Sequence, residues 1–267
     1  MTALGPAFAS YLRRFRGSFG QDRTAAHFDT YCRGLVSDLP RKSIEPIVLE
    51  AGTAVRALQE FLVTARWDHD SARDTLQKHL GAVVAGLPSD PLGTVGVIDE
   101  TSCRTWGDHT PGVPRQYLGC VGKVENGIVT VHIGVTKGTF QALLDADLFV
   151  PESWAADRDR CQAAGIPEDV GHRTKWRVAV DPWLRLSGNG FSFDWLVFDA
   201  GYGAAVPFLR FLNVVSQRFV AEVPAHFRVR EKVGAKVRHT SDVIRYHQRR
   251  NAQAAKSHKK QRHKCVL

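Results

Sequence analysis

The chain has 267 residues, 43% of them hydrophobic and 24% charged, enough for a sizeable core in one large or two ordinary globular domains. No apolar run reaches the roughly eighteen residues of a membrane-spanning helix, and the start, MTALGPAFASYLRRFRGSFG, lacks the apolar stretch and cleavage site of a secretory signal. Cys32, Cys103, Cys120, Cys161 and Cys265 are odd in number, widely spaced and never in a CxxC pair, which fits reduced cytoplasmic thiols and argues against a disulfide framework or a structural zinc site.

The formal charge of +9 is local. From Arg228 to the end, thirteen Lys/Arg face only Glu231 and Asp242, a balance of +11, and the other 227 residues carry −2. Such a segment suits a phosphate backbone, through counterion release, or is simply a solvated tail.

Taken in chain order, residues 1–80 read as helical. Apolar residues recur at helical spacing in Phe28, Tyr31, Cys32 and Leu35, and again in Val55, Leu58, Phe61 and Leu62. Between these runs Ser43 can cap a helix with Pro46 in its first turn, Gly52 supplies a turn, and Thr53 can cap a second helix ending near Thr64. Two short helices joined through a glycine suit a helix-turn-helix reading DNA, and equally suit plain bundle packing. A further helix is expected from Ser71 to Val84, and GLPSDPLG reads as a linker.

Beyond the linker the period becomes that of strands. Val95–Ile98 is a short buried run ending on Asp99. Arg115–Val124 and Ile128–Val135 are expected as a hairpin turning on Glu125-Asn126-Gly127, because Asn-Gly favours tight turns. Thr174–Leu186 is a candidate helix limited by Pro182. Trp195–Phe198 is a second buried run, ending on Asp199 ahead of a tight Gly201-Tyr202-Gly203 turn; a helix over Val206–Val215 and a strand over Arg218–Val223 follow. The expected class is α/β, a mixed sheet with flanking helices, preceded by an all-α N-terminal domain. The expected boundaries are 1–86, 92–227 and 228–267, the last a basic tail with disorder expected over Ala252–Leu267.

Asp99 and Asp199 stand out because each directly follows a four-residue apolar run, and side chains at strand ends open into the ligand crevice of an α/β sheet. Two such carboxylates can hold Mg2+ or Mn2+ for in-line displacement at phosphorus; the alternative is that they cap turns, as aspartate often does. No GxSxG elbow and no GxxxxGK[ST] loop is present. His258, His263 and Cys265 sit in a lysine-rich stretch unsuited to a metal site, and the tryptophans suit packing better than base stacking.

At these residues the sequence resembles the DDE-type insertion-sequence transposases. VIDETSCRTWGDHTPGVPRQYLGCVGKVENG is similar to the family's first-aspartate block, FVPESWAADRDRCQAAGIPEDVGHRTK to its P-E-S-W segment, and WLVFDAGYG to its second-aspartate block. RKSIEPIVLEAGTAVRALQEFL and RWDHDSARDTL resemble its N-terminal helical region, so the likeness runs over roughly residues 28 to 225. It implies an RNase H-like fold and an endonuclease acting on double-stranded DNA at transposon ends, with Asp99 and Asp199 as catalytic metal ligands for Mg2+ or Mn2+. It also implies assembly as a homo-oligomer on DNA and a bacterial, cytoplasmic, nucleoid-associated setting. The family's third acid is a glutamate on a late helix. None of the 68 residues after Asp199 offers one in that context, since Glu222 lies in strand-like FVAEVPAHF and Glu231 among basic residues. The chain therefore reads as C-terminally truncated and lacking its third acid, or as an inactive DNA-binding fragment. A haloacid-dehalogenase-type phosphatase would need D-x-D, whereas Asp99 is followed by Glu100 and Thr101.

Overall fold

The computed structural model describes residues 4–249 and 251, and it divides into two units: residues up to Gly86 with Gly188–Phe191, and the remainder from Leu87 onward. The expected disorder of Ala252–Leu267 lies outside the described residues.

In the first unit, α1 (Leu4–Arg13) leads through a 3-10 turn at Arg16–Ser18 to α2 (Asp22–Val36), α3 (Ile44–Ala51), α4 (Val55–Val63) and α5 (His69–Gly86). Phe15, Phe19, Ile47, Val48, Leu58 and Phe61 form its core, the residues that helical spacing turns inward. Gly34 lets α2 meet α3, because a Cβ there would collide with the Ile47 side chain. Gly52 ends α3 with φ of 62°, a left-handed conformation that glycine adopts without strain. Ser43 occupies the N-cap of α3 without a side-chain hydrogen bond, and α4 is capped by Ala54 rather than by the expected Thr53.

The second unit holds β1 (Val95–Arg104), β2 (Arg115–Leu118), β3 (Lys123–Lys137), β4 (Phe140–Leu148), α6 (Glu152–Ala155), α7 (Arg158–Ala163), α8 (Lys175–Gly188), β5 (Trp195–Phe198), α9 (Ala200–Gly203), α10 (Val206–Val214) and β6 (Phe219–Ala221). A short hairpin of β7 (Arg228–Val229) and β8 (Arg238–His239) follows, then a helical stretch over residues 240–249. The main sheet is mixed: β3 lies antiparallel to β1, β2 and β4, whereas β5 is parallel to β1 and β6 to β5. Flanking helices and a mixed sheet make this an α/β unit, as expected.

Four local features differ from what the sequence suggests. Asn126-Gly127 is not a turn: both residues lie inside β3, and the β2–β3 connection closes over residues 119–122, where Gly122 has φ of 67°. Gly127 instead allows close strand approach, since a Cβ there would lie 2.5 Å from the Cys103 carbonyl oxygen. Strand β1 does not stop at Asp99; it runs on to Arg104 because β3 pairs with its whole length. Strand β4 was not anticipated, because its alternation breaks where the register shifts and both Leu144 and Asp145 turn inward. Arg185 of α8 answers the charge this brings, its Nε lying 2.8 Å from Asp145 and its Nη2 2.9 Å from Asp147. Pro182 does not end α8, which continues to Gly188 with Pro182 on its buried side.

The two faces of the sheet differ. Ile98, Leu196 and Phe198 are buried, and Phe198 packs on Phe208 of α10 with ring centroids 5.1 Å apart. Val97, Leu143 and Val220, on the opposite face, are exposed. No helix among the described residues is long and apolar enough to cross a membrane.

Candidate functional site

The parallel pairing of β1 with β5 has the register Ile98↔Phe198, so Asp99 and Asp199 are the next residues on adjacent strands despite 100 residues between them. Neighbouring strands lie about 4.8 Å apart, which brings the two backbones within reach of a common ligand. Both acids line an open cleft of about 360 Å³ with Val97, Val197, Val220 and Glu222.

Each carboxylate is anchored through one oxygen. Asp199 leaves β5 in extended conformation and caps α9, its Oδ1 accepting the N–H groups of Gly201 at 2.9 Å and Tyr202 at 3.4 Å. The turn-capping expectation for Asp199 is thus met, and one oxygen does it. Asp99 Oδ1 accepts the N–H of Glu100 at 2.7 Å. The Oδ2 atoms of both take no hydrogen bond among the described residues, so a pair of hard anionic oxygens remains for a cation. The Glu100 side chain is held elsewhere, by Lys175 Nζ at 2.7 Å.

Across the β1–β3 ladder, His132 is the register partner of Asp99 and shares its face. Burial lowers its imidazole pKa and the Asp99 carboxylate opposes that shift. Thr130 Oγ1 lies 3.3 Å from the Thr101 carbonyl, to which it donates, and 2.6 Å from His132 Nε2.

Glu222 is the residue that sequence reasoning passed over for want of a helix. Its N–H continues the β5–β6 pairing by donating to Phe198 O at 3.1 Å, and its exposed side chain borders the cleft. A signal was available, since Glu222 follows the apolar run Phe219–Ala221 as Asp99 and Asp199 follow theirs. Gly203 permits this arrangement: a Cβ there would fall on the Glu222 carbonyl oxygen. Among the described residues no three His, Cys, Asp or Glu side chains lie close enough to hold one ion together. Glu222 therefore borders the carboxylate pair without completing it. Glu231 is engaged instead by His247 at 2.7 Å, and His247 draws its carboxyl below the usual range.

The remaining candidates separate by environment. Trp154 is buried and donates from Nε1 to Val113 O at 2.6 Å, a packing role. Trp106 is 82% exposed, with the Arg104 guanidinium 4.5 Å from its ring centre. The α3–α4 hairpin turns Ile47, Val48, Leu58 and Phe61 into its own core. Cys32, Cys103, Cys120 and Cys161 are free thiols. His258, His263 and Cys265 lie outside the described residues.

Residues 14–265 match the family model of the DDE superfamily endonucleases, and the chain belongs to that family. A probable transposase for insertion sequence element IS701 of Microchaete diplosiphon is 29% identical over 223 residues, covering 82% of this chain and 54% of the relative. The chain spans about half the length of that curated relative.

Proposed function

We propose that this protein is an insertion-sequence transposase acting on double-stranded DNA at element ends, with Asp99 and Asp199 as ligands for Mg2+ or Mn2+ in an RNase H-like unit whose third catalytic acid these residues do not supply. The observation that carries the proposal is the Ile98↔Phe198 register, which brings both acids to one cleft. The donor set fits such a cation: carboxylate oxygens are hard ligands, and Mg2+ is commonly held by one or two of them plus water and phosphate. Divalent cations held there would supply activation of the attacking oxygen and stabilisation of the leaving one. The protein's own part is orientation. The α9 cap holds Asp199 by Oδ1, and the β3 ladder holds Asp99 beside His132.

In the same reading residues 1–86 and the basic segment from Arg228 supply DNA contacts, residues 92–227 are the catalytic domain, and the protein works as a homo-oligomer on DNA. Charge supports the second part, since only Glu231 and Asp242 offset the thirteen basic residues there. A second reading, a DNA-binding protein that does not cut, is favoured by the lack of a three-member ligand group among the described residues. We expect these 267 residues alone to bind but not cleave a duplex carrying the DNA that flanks their reading frame, with Mn2+ present. Specific cleavage lost in both Asp99→Ala and Asp199→Ala would show that the chain is catalytically complete, with Glu222 the first acid to substitute next. Absence of any preference for the flanking duplex over unrelated DNA would sink the transposase reading itself.

A further inference from the structure

Three residues after Asp199, Tyr202 carries a polar group that the fold does not use. Its backbone N–H belongs to the Asp199 cap, and its ring is 3% exposed, packed against Phe198 and Phe208 at centroid separations of 6.5 and 6.3 Å. The hydroxyl oxygen is cut off from solvent and has no hydrogen-bond partner among the described residues. A phenol keeps its proton at physiological pH, so the group is a donor there. A buried donor without an acceptor costs stability, and phenylalanine would fill the same space without that cost. Asp199, whose Oδ1 already takes the Tyr202 N–H, and Asp99 on the adjacent strand each keep one oxygen without a hydrogen bond among the described residues, whereas Glu100 is held by Lys175.

We propose that Tyr202 is a positioning residue for the carboxylate pair, its hydroxyl reserved for an Asp99 or Asp199 oxygen when both acids turn to a divalent cation. This rests on the reading of Asp99 and Asp199 as metal ligands. Partners that orient a ligand from behind act on metal affinity more than on the fold. A purely structural tyrosine would behave the opposite way.

The test uses the full chain, stripped of metal, in wild-type, Tyr202→Phe and Asp199→Asn forms. Thermal unfolding is followed without metal, and Mn2+ affinity is measured by calorimetry. The proposal expects Tyr202→Phe to melt at or above the wild-type temperature without metal and to bind Mn2+ roughly tenfold more weakly. Asp199→Asn should lose that binding. Unchanged Mn2+ affinity in Tyr202→Phe overturns the proposal and leaves the metal reading standing. A lower metal-free melting temperature also overturns it, because the hydroxyl would then already have a partner. If wild type shows no Mn2+ binding that Asp199→Asn removes, the metal reading fails and the role of Tyr202 fails with it.

Discussion

Replacing Gly203 by alanine adds one methyl group at the point where α9 passes β6. The new Cβ would fall on the Glu222 carbonyl oxygen, with the carbonyl carbon 3.0 Å away and the Ala221 Cβ at 3.2 Å. The 3.0 Å approach is about 0.5 Å inside the optimal carbon–carbon separation of about 3.5 Å. The obstructing atoms are mostly backbone, so no side-chain rotation relieves the clash, and α9 must move off the strand. Helix propensity works the other way: Gly→Ala gains up to about 1 kcal/mol in a helix interior, and less in the single turn of α9. Overpacking costs about 1–3 kcal/mol, so the steric effect wins, with a net loss of about 2 kcal/mol. For a protein of this size that lowers Tm by roughly 4–8 °C. Because α9 supplies the N–H groups that hold Asp199, Mn2+ affinity should fall as well. The control is Gly86→Ala at the end of α5, where nothing lies within 4 Å of the added methyl and the effect should be neutral or slightly stabilising. Circular-dichroism melts of the two variants decide the matter. A Gly203→Ala protein melting with the wild type would mean that α9 and β6 do not approach as described, and the placement of Glu222 at the cleft would fall with it.

Arg185→Ala should destabilise the protein by about 3 kcal/mol in urea titrations, because the buried Asp145 carboxylate loses its guanidinium partner; a change below about 1 kcal/mol would show that the pair contributes little. His132 has its pKa lowered by burial, so the neutral ring suits the fold: its contribution is present above the ordinary value of 6.5 and is lost as pH falls from there towards the folded-state pKa. Since Asp99 opposes that shift, Asp99→Asn should lower the His132 pKa further in an NMR titration, and an unchanged or raised value would refute their adjacency. Deleting Ala252–Leu267 removes five Lys/Arg and should flatten the salt dependence of DNA binding while sparing sequence preference; loss of preference at constant salt slope would reverse the assignment.

How far the candidate site was legible follows from where each residue's information lies. Helical spacing in α2 and α4, the Gly52 break and the apolar run before Asp199 are local patterns, and a helix satisfies its own backbone, so these elements could be read without knowing their neighbours. Asp99 and Asp199 were visible for the same reason, each marked by four apolar residues before it. Strand state beyond such runs is not local. Residues 99–104 are mostly polar, yet they are a strand because β3 offers hydrogen bonds from His132 to Gly127. Asn126-Gly127 would turn in an isolated hairpin and is held straight by that same ladder. Strand β4 hides its period behind a register shift, and Arg185, from another element, makes its aspartates tolerable.

Glu222 and Tyr202 belong wholly to the tertiary level. Glu222 reaches the cleft because β6 pairs parallel to β5 and Gly203 leaves room for its carbonyl. Tyr202 is unusual only once its hydroxyl is known to be buried and unpaired, which depends on the rings of Phe198 and Phe208 around it. By itself the sequence determined which acids follow apolar runs and where helices can begin and end. The tertiary structure alone decided which carboxylates share a cleft, because a sheet draws its hydrogen bonds and neighbours from residues far apart in the chain.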